Sequence, residues 1–440
     1  MSFQQGISGL NAASRNLEVI GNNIANANTT GAKGSRAEFG DVYATASLAQ
    51  SSATPGMGVA VTGITQQFTQ GSIKTTENPL DIAINGAGFF AVAPSSAAGD
   101  LSYTRDGSFQ LDNKGYIVNG AGLRLQGYSV DPTTNLPGGL LGPIQLPANG
   151  VSPKTTTSVG FGLNLDARTP APTATTPAFS MTDPSSYTST TSSAVYDQQG
   201  NQHVLSLYFR RDTVDNTWDV YASMDGTAVP AGSPQQAVGQ LAFTPAGAVD
   251  PANTGTLSGG LVSAGGTLTP GKLNLDLPFP TSTLPVAGSP STTTAPVAVG
   301  FDNSTQFGSA FGVNSVQQDG YAPGQLTGFS VGADGTVQAQ YSNGKTMPAA
   351  QVALANFRND NGLVPVGGNL WKSTPASGQP AISAPGTANL GSLQGGALEE
   401  SNVDLTQQLV DMITAQRAYQ ANAQTIKTQD QMLSTLVNLR

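Results

Sequence analysis

Cysteine is absent from the 440-residue chain, which excludes disulfides, thiolate metal sites and cysteine nucleophiles. A chain without disulfides is also easy to unfold and thread through a narrow channel. The single histidine, His203, cannot build a histidine-based metal cluster. Charge is scarce: only 10% of residues are Asp, Glu, Lys or Arg, and the formal net charge is −9. Disordered chains are usually far more highly charged. The 18 Lys and Arg residues form no basic stripe, which argues against a nucleic-acid partner. Long apolar runs are missing too, and none approaches the roughly 20 residues needed to cross a bilayer, so no membrane insertion is expected. The N-terminal segment lacks a basic region ahead of an apolar one, so a route out of the cell would not use a cleaved secretory signal.

The residues in excess are glycine (53) and proline (28), with many Ser and Thr, a composition of turn-rich β structure. The length suggests two to four domains.

The two ends carry a different period. Phe3, Leu10, Leu17 and Ile24 recur every seven residues, with Gly6, Ala13, Ile20 and Ala27 as a companion row. This predicts an amphipathic helix with a coiled-coil-like seam. Ser2 with Gln5 forms a capping box, and Gly31 is a stop signal. Gly6, Gly9 and Gly21 each cost about 1 kcal/mol relative to Ala, so the segment should fray in isolation. At the other end Leu405, Met412, Tyr419, Ile426 and Leu433 recur every seven residues, with Leu409, Ala423 and Val437 beside them and Gln416 and Asp430 interrupting. Ser401 with Asp404 reads as the capping box of a helix reaching Arg440. Phe3, Leu10, Leu17, Ile20, Ile24, Leu405, Leu409, Met412, Tyr419, Ile426 and Leu433 are the candidate self-association residues. Terminal placement and narrow seams favour assembly; the alternative is that both helices pack within one monomer.

Between the ends the period switches to two. Leu80, Ile82 and Ile84 alternate, as do His203, Leu205, Leu207 and Phe209, with Trp218 and Val220 on a returning strand. Val337, Ala339 and Tyr341 alternate before Asn343–Gly344. Asp106–Gly107, Asn119–Gly120 and Asn343–Gly344 are hairpin-type turns. Ser/Thr/Pro-rich stretches at 169–179 and 281–298 read as loops around an inserted domain. The expected fold is mainly β with α-helical termini, in a nested layout. Residues 1–30 plus 400–440 form the terminal helical domain, disordered in the monomer. Residues 31–71 plus 362–399 connect it to an inner β domain of residues 72–148 plus 311–361. Residues 149–310 are an inserted outer β domain. Both β domains are expected to be antiparallel and barrel- or sandwich-like.

Little suggests chemistry. Gly328-Phe329-Ser330-Val331-Gly332 matches G-x-S-x-G, but a nucleophile elbow needs a strand, a strained turn and a helix, and here another strand follows. His203 also precedes the serine. It reads as a partly exposed strand residue. Asp106, Asp112, Asp131 and Asp334 sit beside Gly, Asn or Pro, where Asp bonds its own backbone. Gly86-Ala87-Gly88 and Gly120-Ala121-Gly122 do not continue into a phosphate loop, and no EF-hand spacing is present. No cofactor, metal or catalytic residue is expected.

SGLNAASRNLEVIGNNIANANTTGAKGSRAEF resembles the N-terminal signature of the flagellar axial family of rod, hook and hook-associated proteins. GALEESNVDLTQQLVDMITAQRAYQANAQTIKTQDQMLSTLVNLR resembles its C-terminal signature. The matching positions are Asn22, Asn23, Ile24, Ala25 and Asn26, then Ser401, Asn402, Val403, Asp404, Gln416, Arg417 and Tyr419. NPLDIAINGAGFFAV and YTRDGSFQLDNKGYIVN are similar to the inner β domain shared by rod and hook members. AVYDQQGNQHVLSLYF, NTWDVY and YSNGKTMPAAQVALANF are similar to the hook branch, as is the presence of a large outer domain. The resemblance implies a subunit that polymerises helically into a curved, hollow extracellular tube. That tube transmits torque as a universal joint in swimming motility. It implies export unfolded through the flagellar type III apparatus, and distal rod, cap and junction proteins as partners besides the chain itself. The runner-up is a rod protein with an insertion; outside the family, a secreted β-rich adhesin or a hydrolase using Ser330.

Overall fold

The computed structural model describes residues 2–42, 58–94, 100–130, 136–147, 150–173, 176–229, 235–250, 254, 272–280 and 292–438, with the side chains at 2, 272–280, 292–296 and 436–438 excepted. The Ser2 side chain, Asp131, the Val437 side chain, Arg440, residues 174–175 of the first Ser/Thr/Pro-rich stretch and residues 281–291 of the second lie outside them. Helices α1 (Ser2–Ala25) and α2 (Leu405–Asn438) bracket a chain of β-strands. The chain divides into two compact units. The first contains Met1–Ala148, Thr327–Gln340 and Thr346–Arg440; the second contains Asn149–Leu326 and Tyr341–Lys345.

The first unit is built on a curled sheet with the strand Phe89–Ala93 near its middle. All five residues of that strand, Phe-Phe-Ala-Val-Ala, are buried. Phe90 and Val92 enter a core with Ile82, Phe109, Ile117, Leu125, Val337 and Val352. Phe89 and Ala91 enter a second core with Tyr103, Phe357 and Trp371. Burial on both faces explains why this strand reads as an unbroken apolar run rather than an alternation. Val337, Ala339 and Tyr341 alternate buried with exposed neighbours, as their spacing predicts.

Turn chemistry is followed at two of three expected hairpins. At Asn119 the side chain accepts from the amides of Ala121 and Leu123. Asn343–Gly344 joins two antiparallel strands. Asp106–Gly107 is different. The strand before it, Ser102–Thr104, and the one after it, Phe109–Leu111, pair with other strands. Asp106 accepts from the amide and hydroxyl of Ser108, and the Gly107 carbonyl accepts from Ile82. The side chain therefore turns the chain locally without pairing its flanks.

The second unit packs two five-stranded sheets on one core of Phe161, Leu205, Leu207, Phe209, Trp218, Val220 and Phe301. His203, Leu205, Leu207 and Phe209 face inward from Gln202–Arg211, which pairs with Thr217–Met224 as expected. His203 is buried rather than partly exposed: Asp225 lies 2.7 Å from Nδ1 and Asp197 lies 3.5 Å from Nε2. Two turn carboxylates close over the imidazole, which the alternation could not reveal. The sheet is also not wholly antiparallel. Ser158–Asp166 runs parallel to Thr292–Gly300 and to Thr305–Phe307. Parallel neighbours need a long crossover, and the intervening chain supplies one by forming the second sheet. Ser330 lies in the strand Leu326–Val331, and the next element is the strand Thr336–Tyr341.

Acid should weaken the second unit. Burial pushes the Asp319 carboxyl up, but hydrogen bonds from Thr157 and Ser158 and the ammonium of Lys154 outweigh it and bring the pKa from 3.8 to about 2. Hydrogen bonds from Arg168 hold Asp166 at about 2 as well. A carboxylate depressed on folding stabilises above its unfolded pKa and loses that contribution as protons bind. The urea midpoint read from Trp218 fluorescence, in a Trp371→Phe background, is expected to fall between pH 4 and 2, the window those values define. Asp319→Asn should flatten the fall; an unchanged profile in that variant would exclude this carboxylate.

Candidate assembly site

The two chain ends converge on one buried carboxylate. Glu399 accepts from the Lys33 ammonium at 2.7 Å and pairs with the Arg105 guanidinium at 3.3 Å, and the three side chains are 0%, 0% and 5% exposed for Glu399, Lys33 and Arg105. Its Oε1 also accepts from the Gly71 amide, and its backbone carbonyl accepts from Gly31. Lys33 donates further to the Thr69 carbonyl and Arg105 to that of Gly86. Burial lowers the pKa of both cations, and the attraction of Glu399 only partly offsets it. Arg105 also lies over the ring of Phe89, where Phe68 and Trp371 meet edge to face. Gly31, with φ +66°, is part of this junction. It is not the helix stop: α1 ends at Ala25, and turns through the Asn-rich segment follow.

The asparagines of the N- and C-terminal motifs tie the junction to the helices. Asn23 is buried; its amide donates to the Ser35 carbonyl and its Oδ1 accepts from the Ser35 amide, both at 2.8 Å. This fixes the end of α1 to β1 (Ser35–Asp41), which pairs with β2 (Val59–Gln66). Asn402 accepts from Gly34 and donates to the carbonyls of Gln67 and Thr69. Asn26, just past the end of α1, donates its amide back to the carbonyl and side-chain oxygen of Asn22. Asp404, not Ser401, caps α2: its Oδ1 accepts from Thr406 and Gln407, while Ser401 only bonds the amide of Val403. Asp reaches its second and third following amides unaided, so no Ser partner is required. Val403 is half-buried; Ala25, Gln416 and Arg417 are exposed.

Above this root α1 and α2 run antiparallel. A Cβ on Gly6 would meet Ile426, one on Gly9 would meet Asn422, and Asn23 donates to Gln408 at 3.1 Å. Glycine at 6 and 9 therefore serves close approach of the two backbones. Toward α2 and β1 the first helix buries Ala12, Ala13, Val19 and Ile20. The seven-residue row Phe3, Leu10, Leu17, Ile24 is only half-buried or exposed, so the companion row carries the packing. On α2 the more covered positions are Gln408, Asp411, Met412, Ala415, Asn422, Ala423, Ile426 and Gln429, a stripe of small and polar residues with two large apolar ones. Leu405, Leu409, Val410, Ile413, Tyr419, Met432 and Leu433 remain exposed, as do Phe3 and Ile7 on α1. Of the candidate self-association residues, Ile20 alone is fully buried; Leu10, Leu17, Ile24, Met412 and Ile426 are half-buried. Sequence reasoning missed Lys33, Arg105 and Glu399. Their one signal was isolated charge in a chain that has little.

The comparisons define the class first. The model described as "Flagella basal body rod protein" matches residues 3–33, and "Flagellar basal body rod FlgEFG protein C-terminal" matches 394–439. "Flagellar hook protein FlgE/F/G D1 domain" matches 83–160 and "Flagellar basal body protein FlaE D2 domain" matches 164–321. The chain is 41% identical to the flagellar hook protein FlgE of Salmonella typhimurium over 443 residues, covering 100% of both. It is 33% identical to those of Rhizobium meliloti and Treponema pallidum, covering 100% of this chain and 98% and 99% of theirs. A crystal structure of Helicobacter pylori flagellar hook protein FlgE2 shares the fold, with a TM-score of 0.50, 15% identity, and coverage of 74% of this chain and 100% of that one. Rod and hook proteins of the flagellum are thus the class. Within it, the chain belongs to the flagellar hook protein family. Among the described residues no helix is long and apolar enough to cross a membrane.

Glu399→Gln should destabilise the first unit by about 3–5 kcal/mol, because it leaves Lys33 and Arg105 buried without a counter-charge. Urea unfolding followed by Trp371 fluorescence in a Trp218→Phe background measures this. A loss under about 1 kcal/mol, the worth of an exposed pair, would mean the junction admits water.

Proposed function

We propose that this chain is the structural subunit of a flagellar hook, not an enzyme. Copies polymerise helically into a curved, hollow, extracellular tube that bends while transmitting torque from rod to filament in swimming motility. The observation that carries this reading is the division of labour on α2. The helix meets α1 mostly with small and polar residues and leaves Leu405, Leu409, Val410 and Ile413 in solvent. Large exposed apolar patches mark protein contacts. These four are each about half exposed, and burying the remainder contributes about 3–6 kcal/mol. Association itself costs about 4–15 kcal/mol. One contact is therefore marginal, and a lattice of several neighbours is needed. A heterologous contact that does not close yields a filament.

The nested layout follows. Residues 1–30 and 400–440 line the inner tube, residues 31–71 and 362–399 connect, residues 72–148 and 311–361 form the inner β layer, and residues 149–310 form the outer one. The β domains carry little charge, and contacts of small apolar area between neighbouring copies slide as the tube turns. The helix pair, held by glycine and asparagine, is weak alone and orders fully at the growing tip. That delay discourages polymerisation inside the cell. Export proceeds unfolded through the flagellar type III apparatus. The partners are other copies, the distal rod, the cap and the hook–filament junction.

Purified protein under polymerising conditions is expected to give curved tubes by electron microscopy. Leu409→Asp should abolish them while leaving both tryptophan unfolding transitions in place. Tubes of normal yield from that variant would refute the assembly face. Amide exchange on the monomer should find residues 3–25 and 405–438 weakly protected; strong protection there would mean a preformed pair.

A further inference from the structure

The helix pair presents two different apolar patches at its two ends. Near its root α2 carries Leu405, Leu409 and Ile413, spaced four apart and all exposed. Such a row forms one ridge along a helix. At the far end α2 runs past the first turn of α1. Ile426 still packs on Gly6, but Leu433, seven residues further along the same line, is 57% exposed, and Met432 is 62% exposed. Phe3 and Ile7 are exposed on the first turns of α1, at this same end. The stripe that α1 covers along the middle of α2 thus continues uncovered at the tip.

We infer that the tip of one copy, Leu433 with Met432 and Phe3, seats on the root ridge Leu405–Leu409–Ile413 of another, so that subunits stack end to end. This rests on the reading of the chain as a polymerising subunit. The occupant of each patch is the other patch. The ridge of the second copy takes, beyond the first turn of α1, the place that α1 holds along the rest of α2. The patches differ in sequence and lie at opposite ends of one antiparallel helix pair. Two copies meeting tip to ridge leave one tip and one ridge free, and the contact repeats without closing. Both patches are uncharged at these positions, which makes them apolar knobs and holes rather than an ion-paired joint.

The chain has no cysteine, so introduced thiols report without background. Residues 413 and 433 lie about 30 Å apart along one helix, which forbids a disulfide within one copy. Full-length Leu433→Cys, Ile413→Cys and the double variant are assembled, oxidised and run on non-reducing gels, beside wild-type protein examined by electron microscopy. Each single variant should stay monomeric, the mixture of the two should give dimers, and the double variant should give a ladder beyond trimer. Dimers from either single variant, or filaments of the double variant without a ladder, overturn the contact. Should the cysteine variants not assemble, a charge pair decides. Leu433→Asp and Leu409→Lys should each raise the concentration needed for polymerisation about tenfold or more, and their mixture should restore it. A mixture no better than its components overturns the contact. Wild-type protein that forms no filament fails the hook reading itself, whereas filaments without ladder or rescue fail the tip-to-ridge contact alone.

Discussion

The carboxylate of Glu399 is the point on which the rest of the first unit depends. It is fully buried, so its charge must be met inside the protein, and two cations from distant parts of the chain meet it. Lys33 comes from just after α1, Arg105 from the β domain, and Glu399 itself from just before α2. None can move without stranding a charge in an apolar setting. The Asn23 and Asn402 side chains then lock the adjoining backbone by direct hydrogen bonds. Both helices therefore leave the β domain from a fixed root, with their relative direction set before they touch one another.

That root permits the helix pair to be weak. With the directions already determined, α1 and α2 need little apolar burial between them, and the seam can be built from Gly6, Gly9, Ala13, Ala415 and Asn422. Small residues bring the backbones close, and apart from Met412 and Ile426 the large apolar side chains of α2 are left on other faces. A pair with Leu and Ile throughout its own seam would be more stable and would have less to offer a neighbour. The cost is an exposed apolar surface that satisfies the isolated molecule poorly and suits a crowded tube wall.

The second unit has the opposite character. Its two sheets enclose a core with Trp218 and Phe209 fully buried; Asp197 accepts from the amides of its own turn, and Asp319 from those of Thr157 and Ser158. Burial and exposure are thereby separated along the chain: the second unit encloses its apolar side chains in a core, and the helical ends leave theirs exposed.

Much of this was legible without coordinates. The helices at both ends follow from seven-residue spacing, the strand around His203 from alternation, and the turns at Asn119 and Asn343 from Asn-Gly chemistry. All are short-range patterns, written by the period of the backbone itself. The terminal motifs marked the family, but not why their asparagines matter. The burial of His203, the failure of Asp106–Gly107 to form a hairpin, the parallel strands of the second unit and the choice of Asp404 as cap each depended on what lay across the fold. The Lys33–Glu399 pair joins residues 366 apart in sequence, and no local pattern encodes such a meeting. The sequence by itself determined which segments are helix and strand and that both ends carry apolar rows. Only the tertiary structure decided which row α1 turns to α2 and which is left for others, because the helices leave a root where a buried ion cluster joins three distant segments.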